Sequence, residues 1–150
     1  MSDVGELYQD IILDHNRRPR NYGELAGDAR RAEGKNPLCG DEVTVWVRLD
    51  GDVIGEVSFV GIGCAISRAS ASLMTAAVKG KSRAEAVELF DRVHGLVTGR
   101  EREPDSYKKL GGLAALSGVS RYPARVKCAS LAWHALRSAM AAAPASVSAE

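Results

Sequence analysis

Residues 43–60, VTVWVRLDGDVIGEVSFV, decide the architecture. Val43, Val45 and Val47 alternate with Thr44, Trp46 and Arg48, so one side of an extended chain is apolar throughout, the period-two pattern of a half-buried strand. Asp50-Gly51-Asp52 then supplies a tight hairpin turn, and Val53, Ile54, Val57, Phe59 and Val60 supply the returning strand. Residues 29–34 offer a third strand to the same meander. Beyond Gly61-Ile62-Gly63 the character changes, because residues 64–79 are rich in Ala, Ser, Leu and Met and end at Gly80, which predicts a helix. Ser82 with Glu85 three residues later forms a capping-box pattern ahead of Ala86, Val87, Leu89, Phe90 and Val93, a second helix. Strands first and helices afterward predict an α+β domain, a small antiparallel sheet of about three strands with helices packed on one face.

Outward from this centre, Leu7, Tyr8, Ile11 and Ile12 recur at helical spacing over residues 7–18, and Pro19 stops the run. Residues 21–28 read as loop. Residues 95–118, polar and then interrupted by Gly111 and Gly112, read as a surface excursion with at most short helical turns. From Tyr122 on, Val126, Ala129, Leu131, Ala132, Trp133, Leu136 and Met140 cover one broad helical face. Residues 1–140 are expected to form a single domain and residues 141–150 a frayed tail. The size suits one core: 150 residues, 45% hydrophobic and 26% charged.

Twenty Lys and Arg against nineteen Asp and Glu leave a net charge of +1, so no sequence-wide field draws the chain to nucleic acid or a lipid surface. The first fifteen residues carry four carboxylates and read as mature protein, and no apolar run approaches the roughly 20 residues of a membrane span. A cytoplasmic protein is the expectation. Within it, Arg17, Arg18, Arg20, Arg30 and Arg31 form a basic neighbourhood, either a solvated face or a docking surface for an acidic partner.

Cys39, Cys64 and Cys128 are too few and too dispersed for a disulfide framework. Cys39 lies in Asn36-Pro37-Leu38-Cys39-Gly40-Asp41, a turn-forming hexapeptide that puts a carboxylate two residues from a thiol. Cys64 follows Gly61-Ile62-Gly63 at a strand-to-helix junction, where backbone N–H groups and the positive helix end favour thiolate. Cys128 lies one helical turn after Arg125 and directly after Lys127. None sits in a plain apolar stripe. If the three sulfurs and Asp41 converge, they make a tetrahedral Cys₃Asp site whose soft ligands suit zinc, and Arg125 is the cation that offsets the excess negative charge. Spacing alone leaves an iron–sulfur cluster on the same cysteines open. His15 and His94 near helix ends and His134 on the last helix are expected outside the site, His134 on the surface.

The blocks Asn36–Asp41, Gly63-Cys64-Ala65-Ile66-Ser67-Arg68-Ala69-Ser70-Ala71-Ser72 and Tyr122-Pro123-Ala124-Arg125-Val126-Lys127-Cys128-Ala129 resemble the three cysteine motifs of the SufU family, in the same order, within a resemblance that spans residues 7–140. The related IscU scaffolds carry a histidine where this chain has Lys127 and a shorter segment between the second and third cysteines, so both features favour SufU. The resemblance implies a SufE/IscU-like fold and a zinc held by Cys39, Asp41, Cys64 and Cys128. It also implies a sulfurtransferase that takes persulfide sulfur from a SufS-type cysteine desulfurase onto Cys39, after a partner histidine displaces Cys39 from the metal, and relays it to a downstream Suf cluster-assembly scaffold. An IscU-like scaffold for a nascent cluster and a structural zinc adaptor are the alternatives.

Overall fold

A computed structural model of the chain describes residues 3–25, 29–37, 40–98, 111–141 and 146–148. Helix α1 spans Asp3–Arg17, strand β1 Arg30–Asn36, β2 Asp41–Asp50 and β3 Val53–Ile62. Helices α2 (Ala65–Val78) and α3 (Arg83–Thr98) follow, then a 3₁₀ segment at Gly111–Arg121, helix α4 (Pro123–Met140) and a short β4 at Ser146–Ser148.

The hairpin read from residues 43–60 forms as expected. Asp50 pairs with Val53 across Gly51, which takes the left-handed φ of +64° that such a turn requires. Val45 faces Phe59 and Val47 faces Val57, but between Arg48 and Leu49 the register shifts and leaves Gly55 without a cross-strand partner. That bulge lets Ile54 and Val57, three apart, both be buried. β1 joins the other side of β2 antiparallel, with Ala32 opposite Val45. β4 adds in parallel to β1, giving the order β3-β2-β1-β4, so three residues of the expected tail are a strand.

One face of the sheet supplies Ala32, Val43, Val45, Val47, Val57 and Phe59 to a core that α4 covers over β1 and β2 and α2 covers over β3. Trp133, Leu131 and Leu136 of α4 and Met74 and Val78 of α2 are the large side chains buried there. α1 packs on α2 and on the 3₁₀ segment as an outer layer. The capping box at the start of α3 is present: Ser82 N–H donates to Glu85 Oε1 at 2.9 Å and Glu85 N–H to Ser82 Oγ at 3.1 Å.

Two expectations need correction. The stretch 95–118 is not a surface excursion throughout, because α3 runs to Thr98 and Leu113, Ala114, Ala115 and Leu116 are buried, as is Val119 just beyond it. Glycines broke the α-helical pattern there, yet five apolar residues in seven still had to leave water, and the tighter 3₁₀ turn lets them. Residues 99–110 of that stretch lie outside the described ones. His134 is also not a surface residue: it is half-buried between α3 and α4, edge-on to Phe90 at 5.1 Å, with His94 stacked on the same ring.

Burial lowers the pKa of His134 from its ordinary 6.5, and the nearby His94 and Arg137 push the same way. His15 is lowered too, first by burial and then by Arg20. Its Nδ1 lies 2.7 Å from Ser72 Oγ, which also accepts the Arg20 N–H, so neutral His15 can accept a hydrogen bond from the Ser72 hydroxyl. Both rings hold their proton less readily in the folded protein than in the unfolded chain, where they titrate near 6.5, so the unfolded chain binds more protons as pH falls through that value. Their stabilisation is whole above 6.5 and declines as pH falls toward the folded values. Thermal melts from neutral pH downward should show this decline, and the double variant His15→Asn/His134→Asn should flatten it.

Among the described residues, no helix is long and apolar enough to cross a membrane.

Candidate metal centre

Asn36 and Asp41 are opposite partners at the ends of β1 and β2, and both are buried. The turn between them is closed by Gly40 N–H donating to Asn36 O at 2.9 Å, with Gly40 at φ +72°. Leu38 and Cys39 of this turn lie outside the described residues. The sequence therefore delivers a carboxylate to the foot of a rigid strand, directly beside the turn that carries the first cysteine.

Cys64 is the N-cap of α2, in extended conformation, and its Sγ accepts the Ser67 N–H at 3.4 Å. Its own N–H donates to Asp41 Oδ1 at 3.0 Å, tying the start of α2 to the start of β2. Gly63 makes that approach possible: it sits at φ +146°, and a Cβ there would fall 2.2 Å from Asp41 Oδ1. Cys128, in the second turn of α4, is fully buried, and Asn36 Nδ2 donates to its Sγ at 3.8 Å.

One ligand atom from each of Asp41, Cys64 and Cys128 lies within 4.8 Å of the others. Three of the four sequence-predicted ligands thus come together, from three distant segments, and no histidine belongs to the group. Arg125, also singled out from the sequence, is exposed one turn before Cys128. A hydrogen bond to Cys128 raises its pKa above the ordinary guanidinium value, and the negative charge of Cys64 and Cys128 adds to the effect. The cation and the two sulfurs therefore face one another.

Asp41 shows what the group lacks. It is 0% exposed, and while Oδ1 is satisfied by Cys64, Oδ2 has no hydrogen-bond partner among the described residues. A buried carboxylate oxygen without a donor is costly unless a cation meets it. Two sulfurs and an Asp41 carboxylate oxygen, with a third cysteine two residues before Asp41 in the sequence, fit a soft divalent metal such as zinc. Asp41→Asn is accordingly expected to act in opposite directions. The metal-free protein should gain stability, by about 1 kcal/mol or more, because an unpaired buried charge is removed. Zinc affinity should fall at least about tenfold, because a charged ligand is lost. Melting points with and without chelator, together with a competitive zinc titration, read both signs.

Two residues of the centre were not legible as such. Asn36 read as part of a turn and Gly63 as part of a strand-to-helix junction, and only the fold shows one donating to a ligand sulfur and the other making room for a ligand carboxylate. The basic neighbourhood is largely engaged: Arg20 pairs with Asp14 at 2.6 Å, Arg31 pairs with Glu33, and Arg30 donates to Met140 O.

The family model described as the NifU-like N terminal domain matches residues 7–129. A protein of Streptococcus pyogenes named iron-sulfur cluster assembly scaffold protein IscU is 41% identical over 93% of this chain and 86% of its own length. The zinc-dependent sulfurtransferase SufU of Bacillus subtilis is also 41% identical, over 93% of both chains. A crystal structure described as a putative iron-sulfur cluster assembly scaffold protein for the SUF system from Fervidobacterium islandicum superimposes with a TM-score of 0.75 at 36% identity, over 90% of this chain and 97% of that one. With matched residues that span both Cys64 and Cys128, the chain belongs to the NifU-like N-terminal domain family, among its IscU- and SufU-type members.

Proposed function

We propose that this protein is a zinc-dependent sulfurtransferase of iron–sulfur cluster assembly, acting in the cytoplasm beside a SufS-type cysteine desulfurase and delivering sulfur to a downstream Suf scaffold. The observation that carries the reading is the convergence of Asp41, Cys64 and Cys128, with an Asp41 carboxylate oxygen that has no partner among the described residues, and with Cys39 two residues before Asp41 in the sequence. A relative that matches over nearly the whole chain bears the name zinc-dependent sulfurtransferase, which supports it.

Zinc bound there would keep its thiolate ligands deprotonated at neutral pH. The work of the chain's own residues follows. Cys39 is the acceptor: its thiolate attacks the outer sulfur of the donor's persulfide, a new S–S bond forms on Cys39, the donor's S–S bond breaks, and the donor cysteine leaves as thiolate. No outside oxidant or reductant is consumed. Asp41, Cys64 and Cys128 hold position, two of them fixed by backbone hydrogen bonds at the start of α2 and inside α4. Arg125 offsets the negative charge that three thiolates and a carboxylate bring together.

A scaffold that carries a nascent cluster is the second reading, favoured by the equally similar relative named as a scaffold. Lys127, where IscU-type scaffolds have histidine, speaks for the transferase. Incubation with desulfurase and cysteine followed by peptide mass spectrometry decides between them. One reductant-removable sulfur on the Cys39 peptide of a colourless, zinc-containing protein is the expected result; iron with cluster absorbance and no persulfide would establish the scaffold.

A further inference from the structure

The amide of Asn36 performs no task in the transfer just described, yet it is buried at 2% exposure with its Nδ2 turned to the sulfur of Cys128. Its backbone carbonyl accepts the Gly40 N–H and closes the turn that carries Cys39. An asparagine at this place can be satisfied in few ways. Asn36 precedes Pro37, which restricts it to extended backbone, and its β1 register opposite Asp41 fixes where the side chain starts. With Cys128 as a metal-bound thiolate, the N–H side of the amide faces the sulfur, because a carbonyl oxygen there would set two electron-rich atoms against each other.

We propose that Asn36 is a positioning residue of the metal centre, whose side-chain amide donates an N–H···S hydrogen bond that damps electron donation from the Cys128 sulfur while its backbone carbonyl locks the turn bearing Cys39. The proposal rests on the zinc reading above, but not on sulfur transfer. Chemically, an N–H donor aimed at a thiolate withdraws lone-pair density, which makes that sulfur a weaker nucleophile, and its fixed direction makes it a better-oriented ligand. Cys64 has a counterpart in the Ser67 N–H at 3.4 Å. The two sulfurs on helices are thus each held by an N–H group from the protein itself, as befits ligands that stay in place while another reacts.

The test uses metal probes on the full chain. In cobalt-substituted protein, Asn36→Leu, similar in size but without a donor, should move the sulfur-to-cobalt charge-transfer band to longer wavelength, since the undamped thiolate gives up its electrons more easily. Zinc affinity should fall about tenfold or more, the usual consequence of deleting such a partner. Asn36→Asp, which puts an acceptor in the donor's place, should shift the band in the same direction and weaken zinc further. An unchanged band and affinity in Asn36→Leu would overturn the proposal. If the variants do not fold, the parent protein still decides: with NMR-active cadmium in the site, the Asn36 side-chain amide proton should move downfield and show coupling to the metal through the hydrogen bond. An Asn36 amide at its ordinary position and uncoupled would equally overturn it. None of these readouts requires a desulfurase, so persulfide mapping and metal spectroscopy can fail independently.

Discussion

The Cys39→Ala protein is expected to take up no persulfide sulfur and to lose stimulation of the desulfurase by about a thousandfold or to background, as happens when a nucleophile that no neighbour can replace is removed. Docking should survive, with affinity for the desulfurase within about twofold of the parent, because one small side chain on a turn contributes little to an interface held elsewhere. Zinc should be weakened but retained, since Asp41, Cys64 and Cys128 remain within 4.8 Å of one another. Binding by titration calorimetry, sulfur release by the desulfurase and persulfide mapping separate the three effects. Undiminished transfer, or sulfur found on Cys64 or Cys128, would remove Cys39 from its role while leaving the metal centre as described.

Gly63→Ala should be nearly as damaging although it touches no reacting atom. The added methyl would fall 2.2 Å from Asp41 Oδ1 and 2.9 Å from its Cγ, and the backbone there has a φ of +146° that side-chain-bearing residues seldom adopt. Neither neighbour can give way cheaply: Asp41 is fully buried in β2, and its Oδ1 already accepts the Cys64 N–H. Relief requires moving the start of α2 away from the start of β2, which separates Cys64 from Asp41. A loss of about 3 kcal/mol in stability is expected, together with about a hundredfold weaker zinc binding. Denaturant melts and a competitive chelator titration measure the two, and a variant with parental values in both would show that the junction yields without cost.

These two positions show how unevenly the sequence spoke. Asp41, Cys64 and Cys128 could be grouped from the sequence because each thiol has a turn, helix-start or cation-flanked context and the carboxylate sits two residues from one of them, and the ligand atoms of these three do lie within 4.8 Å of one another. The alternation in residues 43–60 gave the hairpin, since period two has one reading when a glycine turn follows. Gly63 and Asn36 did not announce themselves, because a glycine is wanted for many reasons and an asparagine before a proline is ordinary in turns; what each faces is set by segments far away in the chain. The buried 3₁₀ segment was missed because two glycines masked an apolar run, and β4 because three residues are too few to carry a pattern.

Asp41 at the foot of β2, Cys64 capping α2 and Cys128 inside α4 are distributed along most of the chain. In the bare polypeptide, bringing them together means closing long loops, an entropy cost met only by contacts that form after the sheet and both helices have found one another. An ion that joins these three points is a cross-link, and it brings positions far apart along the chain within a few bonds of one another. The metal-loaded chain is then topologically a smaller protein than the empty one, with fewer conformations to search and with the hairpin, α2 and α4 obliged to open together or not at all.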